Sequence, residues 1–227
     1  MGCALAGLLA EANARVVAIS TSRGAILNPQ GLDVKRLGRL AAESGSRVVD
    51  LYADAERIDR AALLELPVDV LCPCARHNSL HVGNASRVSA RILCPGANNP
   101  VSPEAEQILF ERGVLCLPDF VTNCGGVLGG TMEFASVGQR QIVSFLERHI
   151  GKRIVWLLDE VVRQHRLPRE IAAPLALRRH EQMRRSAAHP SLLGRFFEVG
   201  LDFYRRGWIP GRLVTPLSLL YFERSLA

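Results

Sequence analysis

Val68-Asp69-Val70-Leu71-Cys72-Pro73 and Arg91-Ile92-Leu93-Cys94-Pro95-Gly96 follow one plan, a short apolar run closed by a proline. Val114-Leu115-Cys116-Leu117-Pro118-Asp119 repeats it. Such runs read as strands buried on both faces, and proline ends each one because it has no N–H to give a ladder. Between the second and third runs, Ser102-Pro103-Glu104 opens a helix with a cap residue before a proline at the first helical position, and Gly113 closes it. Strand, helix, strand at this spacing predicts a parallel sheet covered by helices. Toward the N-terminus the pattern continues. Residues 3–13 read as a helix of small and apolar residues, and Arg15-Val16-Val17-Ala18-Ile19-Ser20 as a buried strand. Gly24 and Asn28-Pro29-Gln30-Gly31 are loop signals. Asp33 caps a helix to about Ser44, and Arg47-Val48-Val49-Asp50 reads as one more strand. The expected fold is α/β, a doubly wound, mostly parallel sheet over residues 15–117 with helices on both faces.

From about Ser136 the texture turns helical. Ile142-Phe145-Leu146 and Ile154-Val155-Leu157-Leu158-Val161-Val162 have helical spacing, and Pro168, Pro174 and Pro190 punctuate. Residues 191–227 carry Phe196, Phe197, Phe203, Tyr204, Trp208, Tyr221 and Phe222, a packing or subunit-contact segment. The expected division is residues 1–135, a helical closing region 136–190, and a helical, aromatic tail 191–227.

The 227 residues are 48% hydrophobic and 22% charged, enough for a real core and far from a disordered composition. The net charge of +6 is uneven. Residues 1–135 hold 12 basic and 14 acidic side chains, and residues 136–227 hold 16 and 8. No basic stretch exceeds two residues and no nucleic-acid signature occurs, so the excess reads as arginine-rich solvated helix faces, not a nucleic-acid surface. Cys3, Cys72, Cys74, Cys94, Cys116 and Cys124 form no C-x-x-C pair and lack zinc spacings, including the trio Cys72, Cys74 and Cys94. They read as small buried residues of a reduced cytoplasm. No Lys or Arg precedes the apolar run Cys3–Ala10, Glu11 interrupts it, and Ala6 breaks the myristoylation pattern. With no run of transmembrane length, the expectation is a cytoplasmic protein without a membrane partner.

Ligands of doubly wound sheets sit at the carboxyl ends of strands, here the loops from Ser20, Pro73, Pro95 and Pro118. Those loops carry specific words. Ser20-Thr21-Ser22-Arg23-Gly24 with Asn28-Pro29-Gln30-Gly31, Pro73-Cys74-Ala75-Arg76-His77-Asn78, Gly96-Ala97-Asn98-Asn99-Pro100 with Pro103-Glu104-Ala105, and Pro118-Asp119 with Asn123-Cys124-Gly125-Gly126-Val127 occur in order. Over residues 2–135 they resemble the nucleotide-binding domain of the glutamate/leucine/phenylalanine/valine dehydrogenase family. The resemblance implies NAD or NADP as cofactor, with Asn98 and Asn123 holding the nicotinamide and its ribose. It implies a cofactor site made of Gly2, Ser20, Thr21, Cys74, Ala75, Asn78, Asn98, Asn123 and Gly125. The residue types agree. Amides donate to and accept from a carboxamide, and glycines let backbone approach a flat ring.

The departures from the family pattern are as informative. Gly2 falls at the last glycine of G-x-G-x-x-G, so the resemblance implies a Rossmann-like sheet lacking its first strand and two of its glycines. Loss of a central strand would leave two inner edges unpaired. Ser20-Thr21 replaces the family's Ser-Asp, and Thr21 with Arg23 suits a 2′-phosphate, so NAD and NADP stay open. Gly130 stands where some relatives place a serine against the substrate, and Pro95 replaces the glutamate of E-G-A-N. The family's catalytic lysines have no counterpart, since Lys35 and Lys152 are the chain's lysines and neither has a Gly-rich neighbourhood. The resemblance thus implies the NAD(P)-binding part of an enzyme that oxidatively deaminates an L-amino acid by hydride transfer. This part holds no catalytic residue and is expected to be inactive alone, its partners a missing substrate domain or further copies of itself. Two other readings remain: a degenerate nucleotide-binding or subunit-interaction module, and an enzyme of another reaction. The last has little behind it, because no G-x-S-x-G occurs and His77 and His81 read equally as surface polar residues.

Overall fold

The structure is a computed structural model and describes residues 1–188, 199–200 and 202–226. The chain forms two compact units, Met1–Asp119 and Phe120–Ala227.

The first unit begins with helix α1 (Gly2–Glu11), strands β1 (Ala18–Thr21) and β2 (Gly24–Leu27), and helix α2 (Val34–Ser44). A 3-10 turn (Gly45–Arg47), helix α3 (Val48–Leu51), strand β3 (Glu56–Ile58) and helix α4 (Arg60–Leu64) follow. Strand β4 (Val70–Leu71), helix α5 (Val82–Ala85), strand β5 (Ile92–Leu93), helix α6 (Pro103–Glu111) and strand β6 (Leu115–Cys116) complete it, and helix α7 (Asp119–Thr122) spans the division.

The three proline-closed runs form the parallel sheet β4-β5-β6, with Leu71 opposite Leu93 and Leu93 opposite Cys116. The helix starts stand where their caps predict. Ser102 accepts the Ala105 N–H at 3.2 Å ahead of Pro103, and Asp33 accepts the Arg36 N–H at 3.0 Å.

The N-terminal portion departs from the expectation. β1 is a strand, but it pairs antiparallel with β2, and β2 with β3, as a separate sheet. Gly24, expected in a loop, starts β2. Its φ of 153° suits glycine at a tight reversal. Arg47–Asp50 is not a strand. Val48 and Val49 are adjacent and both buried, at 2% and 1% exposure. A strand would send them to opposite faces, whereas one helical turn turns both into a cluster with Ile26, Leu32, Leu37 and Tyr52. A larger cluster joins Leu71, Leu80, Leu93, Val101, Leu109 and Cys116 across the parallel sheet.

The second unit is helical, as expected: α8 (Gly125–Phe134), α9 (Gln139–Gln164), α10 (Pro168–Ala188) and α11 (Gly211–Leu226). Pro168 starts α10, but Pro174 lies inside that helix and does not end it. Burial of Ile171 and Ala172 on the preceding turn offsets the lost backbone bond. Two aromatics of the tail pack on their own unit, while Trp208 is exposed. Phe222 joins Met132, Val137, Ile142 and Phe145 in one cluster, and the Tyr204 hydroxyl donates to the Phe134 carbonyl at 2.7 Å. Pro190, Phe196 and Phe197 lie outside the described residues. Among the described residues no helix is long and apolar enough to cross a membrane.

Candidate nucleotide site at the strand ends

The loops after β4, β5 and β6 are tied to one another in series. Past β4, the Pro73 carbonyl accepts the N–H groups of Gly96 at 3.0 Å and Ala97 at 2.9 Å. Further along, the Asn78 N–H donates to the Asn99 carbonyl at 2.8 Å, and Leu80 bridges Val101 in parallel fashion. The Asn99 N–H in turn donates to the carboxylate of Asp119, also at 2.8 Å. Asp119 is 7% exposed at the end of β6. Asn78 and Asn99 hold left-handed backbones, with φ of 52° and 45°. Asparagine tolerates that region better than other side-chain-bearing residues, which accounts for its use at both turns. This series fixes the loop that presents Asn98, itself exposed.

Gly2, Cys74 and Gly96 meet at the same edge. A Cβ at Gly2 would lie 3.9 Å from the Cys74 Cβ. One at Gly96 would lie 2.8 Å from the Cys74 Sγ and 3.0 Å from the Met1 Sδ, so a side chain there would push both sulfurs aside. The first turn of α1 therefore lies against the exit of β4. Ala75 is exposed on the loop that follows. Burial pushes the Cys74 thiol above the ordinary range.

The end of β1 is organised differently. Ser20 is exposed, and the Thr21 hydroxyl donates to the Ser46 carbonyl at 2.9 Å while accepting the Arg23 N–H at 3.2 Å. Arg23 and Arg57 both reach the Asp50 carboxylate, and these bonds hold it below the usual carboxylate range. Asp50 and Arg57 were not legible as site residues, because they lie 27 and 34 positions from Arg23 in sequence. Asp119 carried a signal, the Pro-Asp pair closing a strand, but its role appears only through Asn99.

Asn123 and Gly125 belong to the second unit. Asn123 follows α7, and Gly125 opens α8, where a Cβ would meet the Leu146 Cδ1 at 3.6 Å. His81 caps α5: its Nδ1 accepts the Gly83 N–H at 3.1 Å, and Asn84 accepts the His81 N–H. That is the structural role weighed against catalysis. Lys35 and Lys152 are both exposed. An open cleft of about 430 Å³, lined by Ala10, Arg15, Val16, Gly31, Leu32 and Lys35 among others, lies at the start of β1 and includes none of the expected cofactor residues. Among the described residues no group of three or more His, Cys, Asp or Glu side chains could hold a metal.

A small parallel sheet with helices, its strand-end loops knitted together, defines an α/β protein of the kind that binds ligands at the carboxyl ends of strands. Residues 1–165 match the glutamate/leucine/phenylalanine/valine dehydrogenase model, and the chain belongs to that family. It is 48% identical over 117 residues to a glutamate dehydrogenase of Thermotoga maritima, covering 52% of this chain and 28% of that protein. It is 39% identical over 160 residues to the NADP-specific glutamate dehydrogenase A1 of Halobacterium salinarum, covering 70% of this chain and 37% of that one. The chain thus matches about a third of the length of these relatives. The hetero-hexameric glutamate dehydrogenase of Thermus thermophilus superposes with a TM-score of 0.68 at 27% identity, over 78% of this chain and 43% of that one. An L-tryptophan dehydrogenase of Nostoc punctiforme superposes at 0.52 and 25% identity, over 62% and 42%.

Proposed function

We propose that this chain is the nicotinamide-nucleotide part of an amino-acid dehydrogenase, binding NAD or NADP at the carboxyl ends of β1, β4, β5 and β6. The observation that carries the reading is the series Asn78–Asn99–Asp119, which spends a buried carboxylate and two left-handed asparagines on fixing one loop. The residues present suit such a ligand. α1 would offer N–H groups to a diphosphate, the exposed Asn98 an amide to a carboxamide or ribose, and Thr21 and Arg23 are proposed to face the adenosine ribose. When bound, the nicotinamide supplies the hydride acceptor for oxidation of an L-amino acid at its α-carbon. The chain's own residues bind and orient it.

The proposed sheet is doubly wound and Rossmann-like, with its first strand supplied by sequence outside this chain. Division of the strands into two sheets supports this, since β1 and β4 are the edges a first strand would join in a 3-2-1-4-5-6 order. The substrate-binding part, with its lysine and base, is likewise proposed to come from outside the chain, because both lysines here are exposed helix residues. Assembly with further copies of itself is part of the same proposal; the relative from Thermus thermophilus is a hetero-hexamer.

Calorimetric titration with NAD and with NADP tests the binding site. Saturable binding that weakens tenfold or more in Asn98→Ala supports it. Identical titrations for the parent and that variant would remove Asn98 from the site.

A further inference from the structure

We propose that Cys72 and Cys94 form a peroxide-sensitive dithiol that closes to a disulfide between β4 and β5. This does not rest on the nucleotide reading. Leu71 lies opposite Leu93, and the ladder runs one step further, with the Cys94 N–H donating to the Leu71 carbonyl at 3.0 Å. Cys72 and Cys94 are therefore the next registered pair, each followed by a proline that ends its strand. Neighbouring strands lie about 4.8 Å apart, inside the Cα separation of about 4.4–6.8 Å that a disulfide spans. The two thiols lie close enough to perturb each other's titration. Both are half-buried at the sheet's carboxyl edge, within reach of a small oxidant.

The other cysteines are placed for different fates. Cys116 is 3% exposed and its thiol faces the Leu117 carbonyl. Cys124 lies in the second unit with its thiol on the Val121 carbonyl at 3.2 Å. Burial pushes the Cys74 and Cys124 thiols up. In the registered pair the neighbouring Cys72 thiol lowers Cys94 to about 7, while Cys72 itself is pushed up, so Cys94 is the nucleophile and Cys72 resolves.

The chemistry balances with hydrogen peroxide as oxidant. The Cys94 thiolate attacks one peroxide oxygen, an S–O bond forms, the O–O bond breaks, and hydroxide leaves and takes up a proton. Cys94 is now a sulfenic acid. Cys72 loses its proton and attacks that sulfur, the S–S bond forms, the S–O bond breaks and a second water leaves. Two thiols are oxidised and one peroxide is reduced to two waters.

The test uses the full chain, reduced, desalted without air, and given one equivalent of hydrogen peroxide. Remaining thiols are alkylated and tryptic peptides mapped without reductant. The expected product links the peptide ending at Arg76 to the peptide that begins at Ile92, two hydrogens lighter than the separate pair, and dithiothreitol reverses it. The link persists in C74S, which assigns it to Cys72, and is lost in C94S, which also consumes peroxide at least tenfold more slowly. A link that disappears in C74S would overturn the proposal. So would peroxide consumption with all six cysteines equally alkylated, or sulfinic acid at Cys94 with Cys72 still free.

Discussion

Asn99 is the residue on which the strand-end loops turn, since its backbone takes the Asn78 N–H on one side and gives its own to Asp119 on the other. Its φ of 45° sets a sharp expectation. Asn99→Gly should leave stability nearly unchanged, and Asn99→Ala should cost about 1 kcal/mol in urea unfolding. Asp119→Ala removes a charge-assisted bond and strands a part-buried N–H. It should cost about 1.5–3 kcal/mol, with Asp119→Asn losing less. Equal stability of Asp119→Ala and the parent protein would mean that the series holds nothing. Asp50 gives the pH prediction. Its pKa is lowered by the hydrogen bond from Arg23 first and Arg57 second. A depressed carboxylate contributes stability that is present above its unfolded pKa and lost as pH falls through its folded pKa. Asp50→Asn should therefore melt lower than the parent at about pH 7, with the gap closing as pH drops below the ordinary value of 3.8. A gap independent of pH would assign Asp50 a packing role.

Elements were legible in the sequence in proportion to their punctuation. β4, β5 and β6 each end at or near a proline that forbids continuation, and α2 and α6 begin at a side-chain cap, so these five stand where the residues place them. Arg47–Asp50 carries no such mark. Four residues with two adjacent valines suit a strand and a helical turn alike, and only burial of both valines on one side decides between them. The antiparallel β2 and β3 were hidden for a related reason. Gly24 signals a break, and a break before three apolar residues is as much a hairpin as a loop. Within the site the loop words were legible, but the bonds joining them were not, because Asn99 and Asp119 are twenty positions apart and meet only through the sheet. The tail offers an element-scale test. Phe222 packs edge-on against Phe145 with ring centroids 6.3 Å apart. Phe222→Ala should cost about 3 kcal/mol and loosen α11, read as faster amide exchange over Gly211–Leu226. Unchanged exchange there would show that α11 is held by something other than this cluster.

At the scale of the whole molecule, acid–base chemistry is where the proposal that this chain is only the nucleotide part can be tested. Hydride transfer from an amino acid needs the α-carbon held a few ångströms from the nicotinamide and a base to take the ammonium proton. Such positioning and proton transfer supply several orders of magnitude each. The strand-end loops offer amides, backbone N–H groups and a buried carboxylate already engaged by Asn99. Both lysines are exposed helix residues. Burial is what most often lowers a lysine enough to serve as a base, and neither lysine is buried. Purified chain incubated with L-glutamate, L-leucine, L-phenylalanine, L-valine or L-tryptophan and either NAD or NADP should therefore produce no reduced cofactor by absorbance above a no-enzyme control. A fusion that places a first strand, a glycine-rich turn and a lysine-bearing substrate domain ahead of Met1 should bind nucleotide more tightly and turn over at least one of these amino acids. Turnover by the unfused chain that survives repurification would mean that residues within Met1–Ala227 perform the chemistry. A fusion that folds, binds nucleotide and stays inert would favour the degenerate binding module, because the site would then be intact and only the reaction lost.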